Sequence, residues 1–318
     1  MAKFTVFVDG HEGTTGLEIN ERLLQRDDVE ILKIDGAKRK DINERRKYLN
    51  QSEIVFLCLP DEAAKESAAL ITNPSTRVID ASTAHRTDSG WTYGIPELSA
   101  EHRANIANSK RVSNPGCYAT GFNMLMYPLV KEGFVPADYP VSCHAVTGYS
   151  GGGRRLIETF ESAENKEKLS SPCFYALALR HKHLPEMQKH SGLAHPPLFT
   201  PIIGNYFRGM TVAIPLHAGL LSKKAAAAEI NRFYADYYRD QPFVKTLPFN
   251  VQEQFEWGYL NAGACNHTNN IEIMVFGDEK QILAVSRLDN LGKGASGAAI
   301  QNMNIMLGLD ETYSLIPS

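Results

Sequence analysis

Lys3-Phe4-Thr5-Val6-Phe7-Val8-Asp9-Gly10-His11-Glu12-Gly13-Thr14-Thr15-Gly16 is the stretch on which the fold turns. Residues 3–8 alternate β-formers and read as a strand. The strand runs directly into glycines spaced G-x-x-G-x-x-G. Leu17, Leu23 and Leu24 then fall among charges, as in an amphipathic helix. A strand, a glycine turn and a helix form the scaffold that seats a pyrophosphate on helix N–H groups. Glycine permits the tight turn and the close approach of backbone to phosphate.

Working outward, Val29–Ile34 reads as a second strand. Ile54–Leu59 is an unbroken apolar run ending at Pro60, as in a strand buried on both faces. Asp61–Ile71 suits a helix with Asp61 as its cap, and Arg77–Asp80 is a further short strand. Strands alternating with helices predict a parallel sheet with right-handed crossovers. Asp35 stands where a dinucleotide site offers a carboxylate to the ribose. Lys38, Arg39 and Lys40 follow at once, and cations there suit a ribose 2′-phosphate, so the expected cofactor is NADP(H).

From about residue 117 the pattern changes. Gly148–Gly153 is a flexible loop. Met210–Leu216, Ile271–Phe276 and Ile282–Arg287 read as strands, and Ala225–Tyr238 as a helix, predicting an α+β domain with a mostly antiparallel sheet. Leu291, Ala295, Ala298, Ala299, Met303 and Met306 recur at helical spacing over Asp289–Leu309, a stretch expected to pack back on the first domain. The expected organisation is a dinucleotide-binding domain over 1–116, completed by a C-terminal helix in 289–318, and a catalytic domain over 117–288.

Composition narrows the function classes. The 318 residues carry a net charge of −3 with no basic excess, which argues against nucleic acid as a partner and for small-molecule work. No apolar run approaches the ~18 residues of a membrane span, and the N-terminus is too short and alternating for a signal peptide. The five cysteines have no metal or disulfide spacing. Free thiols in a reducing cytoplasm, and no metal, are the expectation.

Asn114-Pro115-Gly116-Cys117-Tyr118-Ala119-Thr120 is the most informative chemical motif. Pro and Gly force a turn before a helix predicted over Tyr118–Val130. A thiol at a helix N-terminus feels the positive end of the dipole, and its thiolate is a good nucleophile for acyl groups. The other cysteines lack such a setting. Arg180-His181-Lys182-His183-Leu184-Pro185-Glu186 supplies two histidines, and His217 is a third acid–base candidate. His181 and His183, two apart, would point the same way in an extended segment, with Glu186 able to orient a ring.

Together these blocks resemble the N-acetyl-gamma-glutamyl-phosphate reductase family, in its shorter branch. The Gly10, Gly13, Thr14, Thr15, Gly16 loop resembles the family's cofactor loop. Asp80-Ala81-Ser82-Thr83-Ala84-His85-Arg86 resembles its second cofactor and substrate segment, and the Cys117 block its nucleophile motif. Ser150-Gly151-Gly152-Gly153-Arg154 resembles the substrate loop, and His181–Glu186 the histidine motif. Asp289-Asn290-Leu291-Gly292-Lys293-Gly294-Ala295 resembles the C-terminal block, in which Asn290 would face the nicotinamide amide.

The resemblance implies a Rossmann domain joined to an α+β domain of the semialdehyde dehydrogenase type. It implies NADPH-dependent reduction of an acyl phosphate to an aldehyde through a Cys117 thioester, in a cytoplasmic homo-oligomer, dimer or tetramer. Cys117 is the expected nucleophile and His181 the expected base. Arg86, Arg154, His183 and His217 are the expected substrate contacts, and Lys38, Ser82 and Asn290 join the glycine loop at the cofactor. Ala119 replaces the proline of the longer branch, which also usually lacks His85 and differs around His217. Aspartate semialdehyde dehydrogenase, another acyl-phosphate reductase and a non-catalytic redox sensor are the rival readings.

Overall fold

The computed structural model describes residues 3–11 and 13–315. Glu12 of the glycine loop and the last three residues of the expected C-terminal stretch lie outside the described residues. The chain divides into two compact units. Of the described residues, one takes those up to Pro115 together with 295–315; the other is Gly116–Gly294.

The first unit is a parallel sheet in the order β2-β1-β3-β4-β6-β5. Its strands are β1 (Phe4–Asp9), β2 (Val29–Leu32), β3 (Ile54–Leu57), β4 (Arg77–Asp80), β5 (Thr92–Tyr93) and β6 (Arg111–Ser113). The helices between them are α1 (Thr14–Leu24), α2 (Ile42–Gln51), α3 (Asp61–Leu70) and α4 (Ala100–Asn108). β3 is buried at every position, as its unbroken apolar run requires. Phe7, Leu49, Val55, Leu57, Leu70, Ile71 and Val78 form one core cluster. After a five-residue π-helical turn, Gly292–Ser296, the chain forms α9 (Gly297–Leu307), which packs on α1, α4 and β4 and is buried nearly all round.

Several local expectations shift. β2 stops at Leu32 and β3 at Leu57, short of Ile34 and Leu59. In α1 the buried face is Gly16, Ile19 and Leu23, while Leu17 and Leu24 are exposed. Asp61 is not a cap: Pro60 holds the cap position, and the Asp61 carboxylate instead accepts from the backbone N–H and hydroxyl of Thr83. Asp289–Leu309 is not one helix, since the π-helical turn precedes α9.

The second unit carries a seven-stranded sheet in the order β11-β12-β13-β10-β7-β9-β8. The strands are β7 (Ser142–Gly148), β8 (Cys173–Phe174), β9 (Leu198–Gly204), β10 (Met210–His217), β11 (Val244–Thr246), β12 (Ile271–Gly277) and β13 (Gln281–Leu288). β7–β9 and β11–β12 are parallel and the other pairs antiparallel, so the sheet is mixed. α5 (Cys117–Lys131) packs on β10 and β13, and α8 (Ala227–Tyr237) on β11, β12 and β13. α6 (Gly153–Glu161) and α7 (Leu184–Ser191) complete the unit, with α7 against α5.

Candidate active site

In the first unit, Gly10 has φ +91°, and a Cβ there would lie 2.3 Å from the carbonyl oxygen of Cys58. The loop therefore admits only glycine at this point. Gly13 is the N-cap of α1 and brings no side-chain cap; Thr14 and Thr15 open the helix. The first-turn N–H groups thus suit an anion.

Beside the loop, a cleft of about 280 Å³ is lined by Asp9, Gly10, His11, Arg39, Lys40 and Arg45 together with apolar side chains. An apolar wall, a glycine cradle and several cations fit a phosphorylated dinucleotide. Lys38 does not line the cleft: its ammonium is mostly exposed and stands 4.0 Å from Glu44. Arg45 escaped the sequence reading. It bonds the buried Asp9 carboxylate at 3.1 Å, and Ser67, itself a donor to Asp9, accepts from it as well. A buried aspartate just before a glycine loop was the available clue that a cation must stand nearby.

Past β4 the chain turns sharply. The Asp80 carboxylate accepts from Ser82 N–H (2.9 Å) and Ser82 hydroxyl (2.7 Å), and His85 Nδ1 stands 2.6 Å away. The His85 ring stacks on Trp91 at 4.1 Å. Ser82 is therefore the brace of this turn. Arg86, also buried, donates to the carbonyls of Asn114 (3.0 Å) and Ala81 (3.0 Å). It ties the turn to the segment that leads into Cys117.

In the second unit, Cys117 is the first residue of α5, half-buried, with Gly116 as cap. The buried Glu186 of α7 accepts from Gly116 N–H at 3.1 Å, which fastens the start of α5. Gly294 closes over the thiol side chain: a Cβ at 294 would lie 2.7 Å from Cys117 Cβ. Gly294 is held in turn by its N–H to Asp289 O at 2.9 Å.

Residues 181–183 are not extended. Leu184 N–H donates to His181 O at 3.0 Å, forming the turn that caps α7. The two rings still meet edge to face at 4.7 Å, and both pack against Tyr118. His183 N–H donates to His181 Nδ1 at 3.1 Å, and His181 Nε2 lies 3.3 Å from the Tyr175 hydroxyl. Tyr175 donates to Tyr118 Oη at 3.0 Å. Burial, joined by the neighbouring phenol and the Cys117 thiol, pushes Tyr118 well up; burial and Cys117 also push Tyr175 up, against the opposing bond to Tyr118. Both phenols are thus held neutral, Tyr175 donating and Tyr118 accepting. Neither tyrosine was singled out from the sequence, since no spacing rule links 118 to 175.

The remaining expectations divide. The Asn290 amide is engaged within its own unit: its oxygen accepts from Gly209 N–H (2.8 Å) and its nitrogen donates to Ser150 (3.0 Å). Its neighbour Asp289, fully buried, pairs with Arg208 at 3.2 Å. Arg154 lies exposed on α6, paired with Glu158 at 2.8 Å. His217 is not brought to the thiol cluster. It is exposed at the far end of β10, about 23 Å along the strand from Met210, whose preceding residue binds Asn290.

A parallel dinucleotide-type sheet and a helix-borne thiol in a second mixed sheet define the semialdehyde dehydrogenase class. The description "Semialdehyde dehydrogenase, NAD binding domain" matches residues 5–106, and "Semialdehyde dehydrogenase, dimerisation domain" matches residues 117–290. Curated relatives are closer. N-acetyl-gamma-glutamyl-phosphate reductase 2 of a Nostoc species is 47% identical over 99% of this chain and 100% of its own. The N-acetyl-gamma-glutamyl-phosphate reductase of a Burkholderia cenocepacia strain is 47% identical over 96% of this chain and 97% of its own. The chain belongs to the N-acetyl-gamma-glutamyl-phosphate reductase family.

Solved structures share the fold. Aspartate semialdehyde dehydrogenase II of Vibrio cholerae, complexed with ASA, superposes with a TM-score of 0.70 at 15% identity, covering 97% of this chain and 99% of that one. The Francisella tularensis aspartate semialdehyde dehydrogenase gives 0.71 at 16% identity, covering 96% and 100%.

Proposed function

We propose that this chain reduces N-acetyl-L-glutamyl 5-phosphate to N-acetyl-L-glutamate 5-semialdehyde and phosphate, with NADP(H), in arginine biosynthesis. The observation that carries the reading is Cys117 at the start of α5 under Gly294, in a chain 47% identical to reductases of that name.

The Cys117 thiolate attacks the acyl carbon, a C–S bond forms, the C–O bond to phosphate breaks, and phosphate leaves. The oxyanion of each tetrahedral state lies against the first-turn N–H groups of α5, which have no intrahelical acceptor. Gly116 N–H is already given to Glu186, so the role falls to the N–H groups that follow it, among them that of Tyr118. The bound dinucleotide supplies the hydride. Gly10, Gly13, Thr14, Thr15 and Gly16 hold its pyrophosphate, and Arg39 and Lys40 its 2′-phosphate. The base that took the Cys117 thiol proton gives it to the oxygen left by hydride addition at the thioester carbon, then takes it back as the C–S bond breaks and aldehyde and thiolate separate.

The hydrogen bonds favour His183 over His181 as that base. His183 N–H donates into His181 Nδ1, so the lone pair of the neutral His181 ring is already occupied and its proton sits on Nε2, toward Tyr175. A protonated His181 would lose that bond. His181 is the orienting ring, and the buried His183 carries the proton. Arg86 is the proposed contact of the departing phosphate, with Arg154 as the second candidate. The enzyme works in the cytoplasm as a homo-oligomer, dimer or tetramer, in keeping with the dimerisation domain matched over 117–290.

The test is phosphate-dependent NADP⁺ reduction with N-acetylglutamate 5-semialdehyde, against aspartate semialdehyde in parallel. A preference for the aspartate compound would reject the reading. For the base, His183→Ala should cut kcat by roughly 10²–10⁴ and His181→Ala by less. The reverse order would return the base to His181.

A further inference from the structure

The chemistry above makes no use of the buried hydroxyl of Tyr206. Tyr206 lies between β9 and β10, in a loop bonded to the turn at 149–152. Tyr149 N–H donates to Tyr206 O at 2.9 Å, and Ser150 N–H to Phe207 O at 3.0 Å. The Tyr206 ring lies back against Gly204, filling the space where a side chain at 204 would stand. Its hydroxyl is shut off from solvent and has no hydrogen-bond partner among the described residues. Burial pushes the phenol up to about 12, and it is near enough to Tyr118 to disfavour ionisation there too.

A second hydroxyl shares this condition. Thr147 is 4% exposed, and its Oγ1 has no partner among the described residues. It immediately precedes Gly148, which pairs in register with Gly204. Two dry hydroxyls therefore flank the loop that carries Ser150 and Gly151. A buried O–H without an acceptor costs free energy in the folded protein, and an arriving acceptor recovers it.

We propose that the Tyr206 hydroxyl is a specificity-determining donor to the neutral amide oxygen of the substrate's N-acyl group. This rests on the substrate reading above. The substrate offers three sets of oxygens: the acyl phosphate, the α-carboxylate and the N-acyl carbonyl. The first two are anionic and call for cations. The cation nearest Tyr206 in sequence, Arg208, is committed to the buried Asp289 and to His267. The neighbours that the structure gives Tyr206 are neutral: Gly204 under its ring and the Tyr118 phenol. A neutral donor in a dry site matches a neutral carbonyl, and such a site rejects an analogue that lacks the acceptor.

Tyr206→Phe keeps the ring over Gly204 and removes only the hydroxyl, so the variant should fold; an unchanged circular dichroism melt checks this. Wild type and variant are compared in NADP⁺ reduction with N-acetylglutamate 5-semialdehyde and with 5-oxopentanoate, which has the same aldehyde chain without the acetamido group. The variant should raise KM for the acetamido aldehyde by ~10-fold or more, with kcat within about twofold, and leave 5-oxopentanoate kinetics where they were. An equal loss on both aldehydes would place the hydroxyl at the reacting centre and overturn the assignment. Unchanged kinetics on both would remove the contact altogether. Wild-type inactivity toward the acetamido aldehyde would instead reject the substrate reading on which the proposal stands.

Discussion

A thiol becomes a working nucleophile through what stands within a few ångströms of it. Cys117 takes its position from the start of α5 and its confinement from Gly294. Cys117→Ser should fold and lose at least ~10³ in kcat, because a hydroxyl is far less ionised than a thiol; stopped-flow measurement of thioester formation checks it. Gly294→Ala should lower kcat without altering dinucleotide affinity, since the new methyl must displace the Cys117 side chain; fluorescence titration separates the two effects. Cys117 was legible because its surroundings are local in sequence. Tyr175 and Tyr206 were not, because nothing in a linear pattern brings residues 118, 175 and 206 together. His217 misled for a related reason: a histidine at a strand end reads alike whichever end faces the chemistry, and here β10 carries it away.

The elements divide the same way. The β1–glycine loop–α1 unit was readable because each piece obeys a local rule: alternation, turn glycines, an uncapped helix start. The basic run after β2 was readable as a run, but which members face the cleft depends on where α2 begins. The cleft takes Arg39 and Lys40 and leaves Lys38 near Glu44. Removing both cleft charges should therefore raise KM for NADPH by ~10-fold or more and leave KM for NADH nearly constant, while Lys38→Ala changes either by less than about twofold. Steady-state kinetics with both cofactors decides it. The expectation of an extended 181–183 segment overlooked Pro185, which in the first turn of α7 marks a helix opening at Leu184.

At the scale of the molecule, the first unit owes part of its core to residues far along the chain. Ala298, Ala299, Ile300, Met303 and Met306 of α9 are almost wholly buried within it. Met303→Ala should cost about 2–5 kcal/mol, read as a lower thermal midpoint. Buried phenols set a second limit. Tyr118, Tyr206 and Tyr234 all have their ionisation pushed upward by burial. A raised folded value favours the protonated form, so their stabilisation is complete below about pH 10, the unfolded tyrosine value, and is lost as pH rises above it. The tyrosinate absorbance of these three phenols, read as the difference from their Tyr→Phe variants, should appear only together with unfolding above that pH; their ionisation in a still-folded protein between pH 10 and 11 would contradict it. The return of the chain from Gly294 into the first unit also fixes an order of events during synthesis. Strands β1 to β6 leave the ribosome with the bed for α9 still uncovered, and all of residues 116–294 must emerge before the helix that fills it. A nascent chain stalled anywhere in that interval presents an apolar groove to the cell, and the first unit to be translated is the last that can be finished.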